Sequence, residues 1–256
     1  MSKRKKFVTT SLILAVGFLG FQFLDNQFRF LGIGILALLT ITLFAWSLRE
    51  GLGKNMTLLT LVLPALFTLG VGIFWFLLPA QVYARLPIII FYALGIYVLA
   101  ITSNIFTVGA IRTIALLSAA RGVGFVLTLV TSFLIYDAIL SLKIQPFISA
   151  PAVALFSFPL FLQGYWTSTL DTKFSKDIYN LALISALLMG EVALGLYFWP
   201  VTVVVGSLFL TVGVYMLLGL GQAKIEDRLF YQTIREYLLV GVLVFLGMLF
   251  STHWRG

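Results

Sequence analysis

The sequence predicts an all-α protein, a polytopic bundle of transmembrane helices, and three observations carry that prediction. Of 256 residues, 61% are hydrophobic and only 10% charged, and the mean hydropathy is +1.09, far from the balance of a soluble domain. The apolar residues are gathered into runs of about 20, the length that crosses a hydrocarbon core of about 30 Å at 1.5 Å per residue. The charges fall almost wholly between those runs. About nine spans are expected, or eight if the short last run does not cross, within a single integral membrane domain over residues 1–256.

In chain order, MSKRKK places four cations ahead of the apolar run 7–24. That run is longer than a signal-peptide core and lacks a clear small-x-small cleavage site, so it reads as an uncleaved anchor. The polar turn LDNQFR leads to a second span at 30–48, and Arg49, Glu50 and Lys54 mark the return. A third span, 56–78, ends with Trp75 and Pro79, and a fourth covers 87–103 after a turn carrying Arg85. Residues 104–121 mix apolar residues with Arg112 and Arg121. They are expected to lie flat at the membrane surface with both arginines snorkelling, the alternative being that they extend the neighbouring spans.

The fifth span is 122–141 and carries Asp137 near its end; the sixth is 147–167, where Pro151 and Pro159 mark kinks. The seventh, 178–200, ends in an aromatic girdle of Tyr197, Phe198 and Trp199, and Pro200 stops it. Within it Ala182, Ala186, Gly190 and Ala193 recur at spacings of three and four, a seam against which another helix can pack closely. An eighth span is expected at 201–221, an interfacial amphipathic link at 222–236 with Ile225, Leu229, Phe230 and Ile234 as its apolar face, and a short ninth run at 237–251.

Net charge is +8. Because the basic residues flank apolar runs, they read as topology signals and as contacts to anionic lipid headgroups, with no nucleic acid as partner. Of the 17 Lys and Arg, all but Arg29, Arg85, Lys143 and Arg255 fall on the side of the N-terminus. The positive-inside rule makes that side cytoplasmic. Arg112, Arg121, Lys224, Arg228 and Arg235 are the expected lipid contacts. Paired glycines at 70 and 72, 122 and 124, and 219 and 221 read as sites of close helix approach rather than phosphate cradles.

NIFTVGAIRTIALLSAARGVGF, and EVALGLYFWP through GLGQAKIEDRLFYQTIREYL, resemble an uncharacterised family of bacterial multi-spanning membrane proteins, a domain of unknown function covering most of the chain. The resemblance implies a multi-pass protein of the cell inner membrane. It implies no activity and transfers no catalytic residue.

Glu191 is the foremost candidate. An ionisable residue at membrane depth is costly unless protonated, paired or facing water, and is a functional candidate by default; it lies roughly 13 Å below Pro200. The bland reading is a protonated acid bonded to a neighbouring helix. Asp137 lies nearer the surface, about 6 Å deep, and reads first as an interfacial residue in headgroup water. Arg85 or Lys143 could compensate either acid. Gln163, Trp166 and Asn104, toward the inner ends of their spans, line a vestibule or anchor the interface. His253, the single histidine, sits beside Trp254 and reads as an interfacial bystander.

No metal ligand set and no cofactor motif is present. The chain has no cysteine, no HExxH, no GxSxG, no Walker A sequence, and no paired aspartates of the kind that hold magnesium. Three classes of function remain. A small transporter or carrier would bind a proton or cationic group at Glu191. An assembly subunit would hold a membrane-protein partner or a second copy, with Glu191 as an interhelical bond. An enzyme acting on a lipid-linked substrate, with Asp137 and Glu191 as acid and base, has the least support, because no loop is long enough to build an aqueous catalytic domain.

Overall fold

Every long apolar run becomes a helix, because only a helix satisfies all its backbone groups within one segment. The computed structural model describes residues 2–21, 28–53, 56–77, 82–111, 115–173 and 175–252. Within them the chain is all-helical: α1 Lys3–Phe21, α2 Arg29–Ser47, a 3-10 turn Met56–Leu61 leading into α3 Val62–Leu77, α4 Val82–Gly109, α5 Leu117–Ser141, α6 Pro146–Thr169, α7 Lys176–Tyr197, α8 Val203–Ile225 and α9 Tyr231–Ser251. All of these but α1 are long and apolar enough to cross a membrane. The run expected at 7–24 passes beyond Phe21 into residues outside the description, as do Lys54, Pro79, Arg112, His253 and Arg255.

Three expectations need correction. Residues 222–236 do not form one interfacial helix. α8 runs to Ile225, where Asp227 takes a left-handed backbone (φ 55°), its N–H donating to the Lys224 carbonyl while that of Arg228 donates to the Ala223 carbonyl. That paired closure is a Schellman stop, here without the usual glycine, and five residues separate the end of α8 from the start of α9. The last run is consequently not short: α9 has 21 residues. Likewise 104–121 is no single surface helix, since α4 continues through Gly109 and α5 starts at Leu117, which is the alternative of extended spans. The sixth span stays one helix through both Pro151 and Pro159.

The chain packs as two compact units, residues 1–127 with 170–174, and residues 128–169 with 175–256. In the first, α1 pairs with α2, α2 with α3, α3 with α4, and α4 with α1. Phe18, Phe67 and Tyr92 stack within this ring of helices. A buried hydroxyl chain crosses it: Thr40 on α2 bonds Thr68 on α3 at 3.1 Å, and Thr68 bonds the Tyr92 hydroxyl on α4 at 3.1 Å. Lys3 and Lys6 at the start of α1 reach Glu50 after α2, at 3.0 and 3.6 Å, and the Met56 amide donates to the Thr172 carbonyl. The start of α1 and both of those loops therefore share one face of the unit.

In the second unit α7 packs along α6, and α8 packs on both and on α9. Ser175 caps α7, its hydroxyl accepting from the Ile178 amide, with Asp177 in the first turn where the helix dipole favours an anion. The seam reading holds: Ala182, Ala186, Gly190 and Ala193 are all buried. A Cβ on Gly190 would lie 3.1 Å from both the Ala150 carbonyl oxygen and the Ala154 methyl, so the missing side chain is what lets α7 approach α6. Glycines at 72, 124, 219 and 221 serve the same end against Ile33, Phe106, Tyr237 and Tyr165, whereas Gly122 faces open space. On α9, Met248 is the one residue buried among those described.

Candidate functional site

The small residues that bring α6 and α7 together also leave a trough beside their contact. Ala150, Ala186 and Gly190 form its buried floor, and Phe147, Leu155 and Leu187 stand exposed as its walls. The groove has a volume of about 690 Å³ and is lined along α6 from Pro146 to Phe158 and along α7 from Tyr179 to Leu194. At 1.5 Å per residue the α7 side is about 22 Å long. Glu191 is the one ionisable carboxyl in this lining.

Glu191 sits one residue past Gly190, so it turns about 100° from the seam and is exposed. No hydrogen bond or ion pair to it exists among the described residues. The interhelical bond expected of a buried acid is therefore not what its surroundings provide. Its neighbours in the groove are hydrocarbon.

Asp137 behaves in the opposite way and corrects the headgroup-water reading. It is buried, and its carboxylate accepts from the Ser207 hydroxyl on α8 at 3.2 Å. Depth along a helix said that it lies near an end. Its face, turned inward beside Tyr136, which bonds Ser157 at 2.6 Å, decides exposure. The groove lining does not include Asp137, so the two acids do not form one acid–base site. Arg85 belongs to the first unit, where its guanidinium lies over the Trp75 ring at 5.2 Å from the centroid.

Within the second unit, a cavity of about 240 Å³ is lined by Lys143, Ser149, Tyr197, Trp199, Thr202 and Gly206 among others. Trp199 is held there by donating to Thr252 at 2.9 Å. Gln163 and Trp166 are fully buried rather than lining a vestibule, and the Oε1 atom of Gln163 has no partner among the described residues. Of the expected lipid contacts, Lys224 and Arg235 are exposed, Arg228 pairs with Glu226 at 3.7 Å, Arg121 is half-buried, and Arg112 lies outside the described residues.

Among the described residues no three His, Asp or Glu side chains gather where they could hold a metal ion. Sequence reasoning placed Glu191 and the α7 seam but missed the α6 wall of the groove. The signal was there, in Ala150 and Ala154 at i, i+4 on a helix that also carries Pro151 and Leu155.

No curated protein and no solved structure matches the chain. A family model does match residues 9–251, nearly the whole chain, and the protein belongs to that family, described as "Protein of unknown function (DUF5656)".

Proposed function

We propose that this chain is an assembly subunit of the cell inner membrane, with its N-terminus in the cytoplasm, that holds a membrane-embedded partner in the α6–α7 groove. One observation carries the reading: Glu191 is exposed on the outside of its helix pair, in an apolar groove, with no counter-charge among the described residues. A bare charge costs about 2.5 to 3.5 kcal/mol at the centre of a spanning helix, and an acid nearer one end, as Glu191 is, still carries part of that cost. A partner that supplies the missing group removes that cost on binding, which links the residue's position to assembly. Lys224, Arg228 and Arg235, at the end of α8, in the turn and in the first part of α9, add contacts to anionic headgroups on the cytoplasmic side.

The experiment is native mass analysis of the full chain extracted directly into lipid nanodiscs. The expected result is a stoichiometric complex that Glu191→Gln dissociates while the subunit stays folded. Identical complexes, or bare subunit in both, would remove the reading. A small carrier is the second reading, favoured by Pro151, a proline inside α6 that lines the same groove as Glu191 and frees a backbone carbonyl beside it. It requires Glu191-dependent proton movement by the chain alone in vesicles, which the assembly reading does not.

A further inference from the structure

Resting on the assembly reading, we infer that the occupant of the α6–α7 groove is a single membrane-spanning helix of another protein, carrying one lysine or arginine at the depth of Glu191. Charge complementarity sets the sign: the groove has one carboxyl and otherwise apolar or aromatic lining, with the tyrosine hydroxyl of Tyr179 at its far end. Depth sets the kind of molecule. Glu191 is about 9 Å from the Tyr197 end of α7 and about 22 Å from the Lys176 end. A lipid amine rests at the headgroup level marked by Tyr197, so it would have to leave water and descend that distance to reach the acid. A helix carries its cation to that depth on its own backbone, and its long aliphatic stem suits the walls.

Shape agrees with this choice. A buried floor of Ala150, Ala186 and Gly190 between protruding Phe147, Leu155 and Leu187 is a surface into which the side-chain ridge of another helix fits. The described residues of a second copy do not supply the cation. Among the described residues, every lysine or arginine on a helix lies within its first five or last two residues, and Arg85, only about 4.5 Å from the start of its helix, is already stacked on Trp75.

The test uses the full-length protein in phosphatidylcholine nanodiscs and a fluorescent leucine–alanine peptide of roughly 22 residues, long enough to span, with one lysine about six residues from its outer end. Energy transfer should show the lysine peptide binding at least about tenfold tighter than the same peptide with leucine there. Glu191→Gln should reduce that ratio to about one, and Glu191→Lys should transfer the preference to a peptide with aspartate at the position. Both variants alter an exposed side chain, and an unchanged melting temperature verifies the fold. Equal binding of the lysine and leucine peptides overturns the inference. So does loss of the lysine advantage when phosphatidylethanolamine replaces phosphatidylcholine, since that assigns Glu191 to a lipid amine. If the peptides fail while the native complex still requires Glu191, the occupant is wrong and the assembly reading survives. If neither depends on Glu191, both fall.

Discussion

The two units are built from the same apolar vocabulary and both bond polar groups in their interiors, but the second also carries an acid on its outside. In the first, the hydroxyls of Thr40, Thr68 and Tyr92 are linked in one buried chain across three helices, and Arg85 is laid over an aromatic ring. In the second, Asp137 and Tyr165 are turned inward and bonded, yet Glu191 is left on the outside of a helix pair. Inward polar groups hold a helix bundle together, since in hydrocarbon an interhelical hydrogen bond replaces an unsatisfied group. An outward carboxylate contributes nothing of the kind. The difference separates residues that make the fold from one that the fold merely carries.

The largest effect is expected at the seam that creates the groove. In Gly190→Leu, the new side chain meets the Ala150 backbone and the Ala154 methyl at 3.1 Å or less, so α6 and α7 must part. The expected loss is about 1 to 3 kcal/mol, typical of overpacking, read as a lowered midpoint of denaturation in mixed micelles. Gly195→Leu, on the same helix with nothing within 4 Å of its Cβ, should be neutral or slightly stabilising. Equal losses at both positions would mean that the seam does not set the helix spacing.

A smaller effect sharpens the contrast between inward and outward groups. Thr68→Val keeps the shape but breaks both links of the hydroxyl chain and leaves the Tyr92 hydroxyl buried without its Thr68 partner, for an expected loss of about 0.6 to 2 kcal/mol. Glu191→Leu should leave the melting temperature unchanged or raise it. The same substitution would have been costly had the acid been an interhelical bond, so the pair of melts measures which role it has.

Much of this was legible beforehand because helix periodicity is local. Ala182, Ala186, Gly190 and Ala193 share a face by spacing alone, and that face is the buried one; Glu191, one residue on, had to look elsewhere. What was not legible is azimuth relative to partners. That Asp137 stands near the end of its helix was legible and its burial was not, because nothing in its own span says that Ser207 stands opposite. The break at Asp227 was hidden for a related reason: a left-handed residue there interrupts an amphipathic pattern that otherwise continues from Ile225 through Ile234. The division into two units left no trace in composition, since both halves are equally apolar.

The smallest expected effect tests the first unit where it meets water. Glu50 lies in the turn after α2, and hydrogen bonding and charge from Lys3, with a lesser contribution from Lys6, hold its carboxyl below the ordinary carboxylate range. Because the folded-state value is depressed, whatever Glu50 contributes to holding the start of α1 is present above the ordinary carboxylate pKa and lost as pH falls through the lower folded value. The pair is exposed, so salt should weaken it as well. Hydrogen exchange at the first amides of α1 should therefore be little affected between neutral pH and mildly acidic conditions once corrected for intrinsic rates. It should be faster in Glu50→Gln, and the difference between variant and parent should shrink in high salt. Thr68→Val should leave those amides as they were, because the hydroxyl chain lies inside the helix ring. If Glu50→Gln leaves α1 exchange unchanged at low salt, the lysine–glutamate contacts do not anchor the N-terminus, and the shared face of α1 and the α2 turn rests on packing alone.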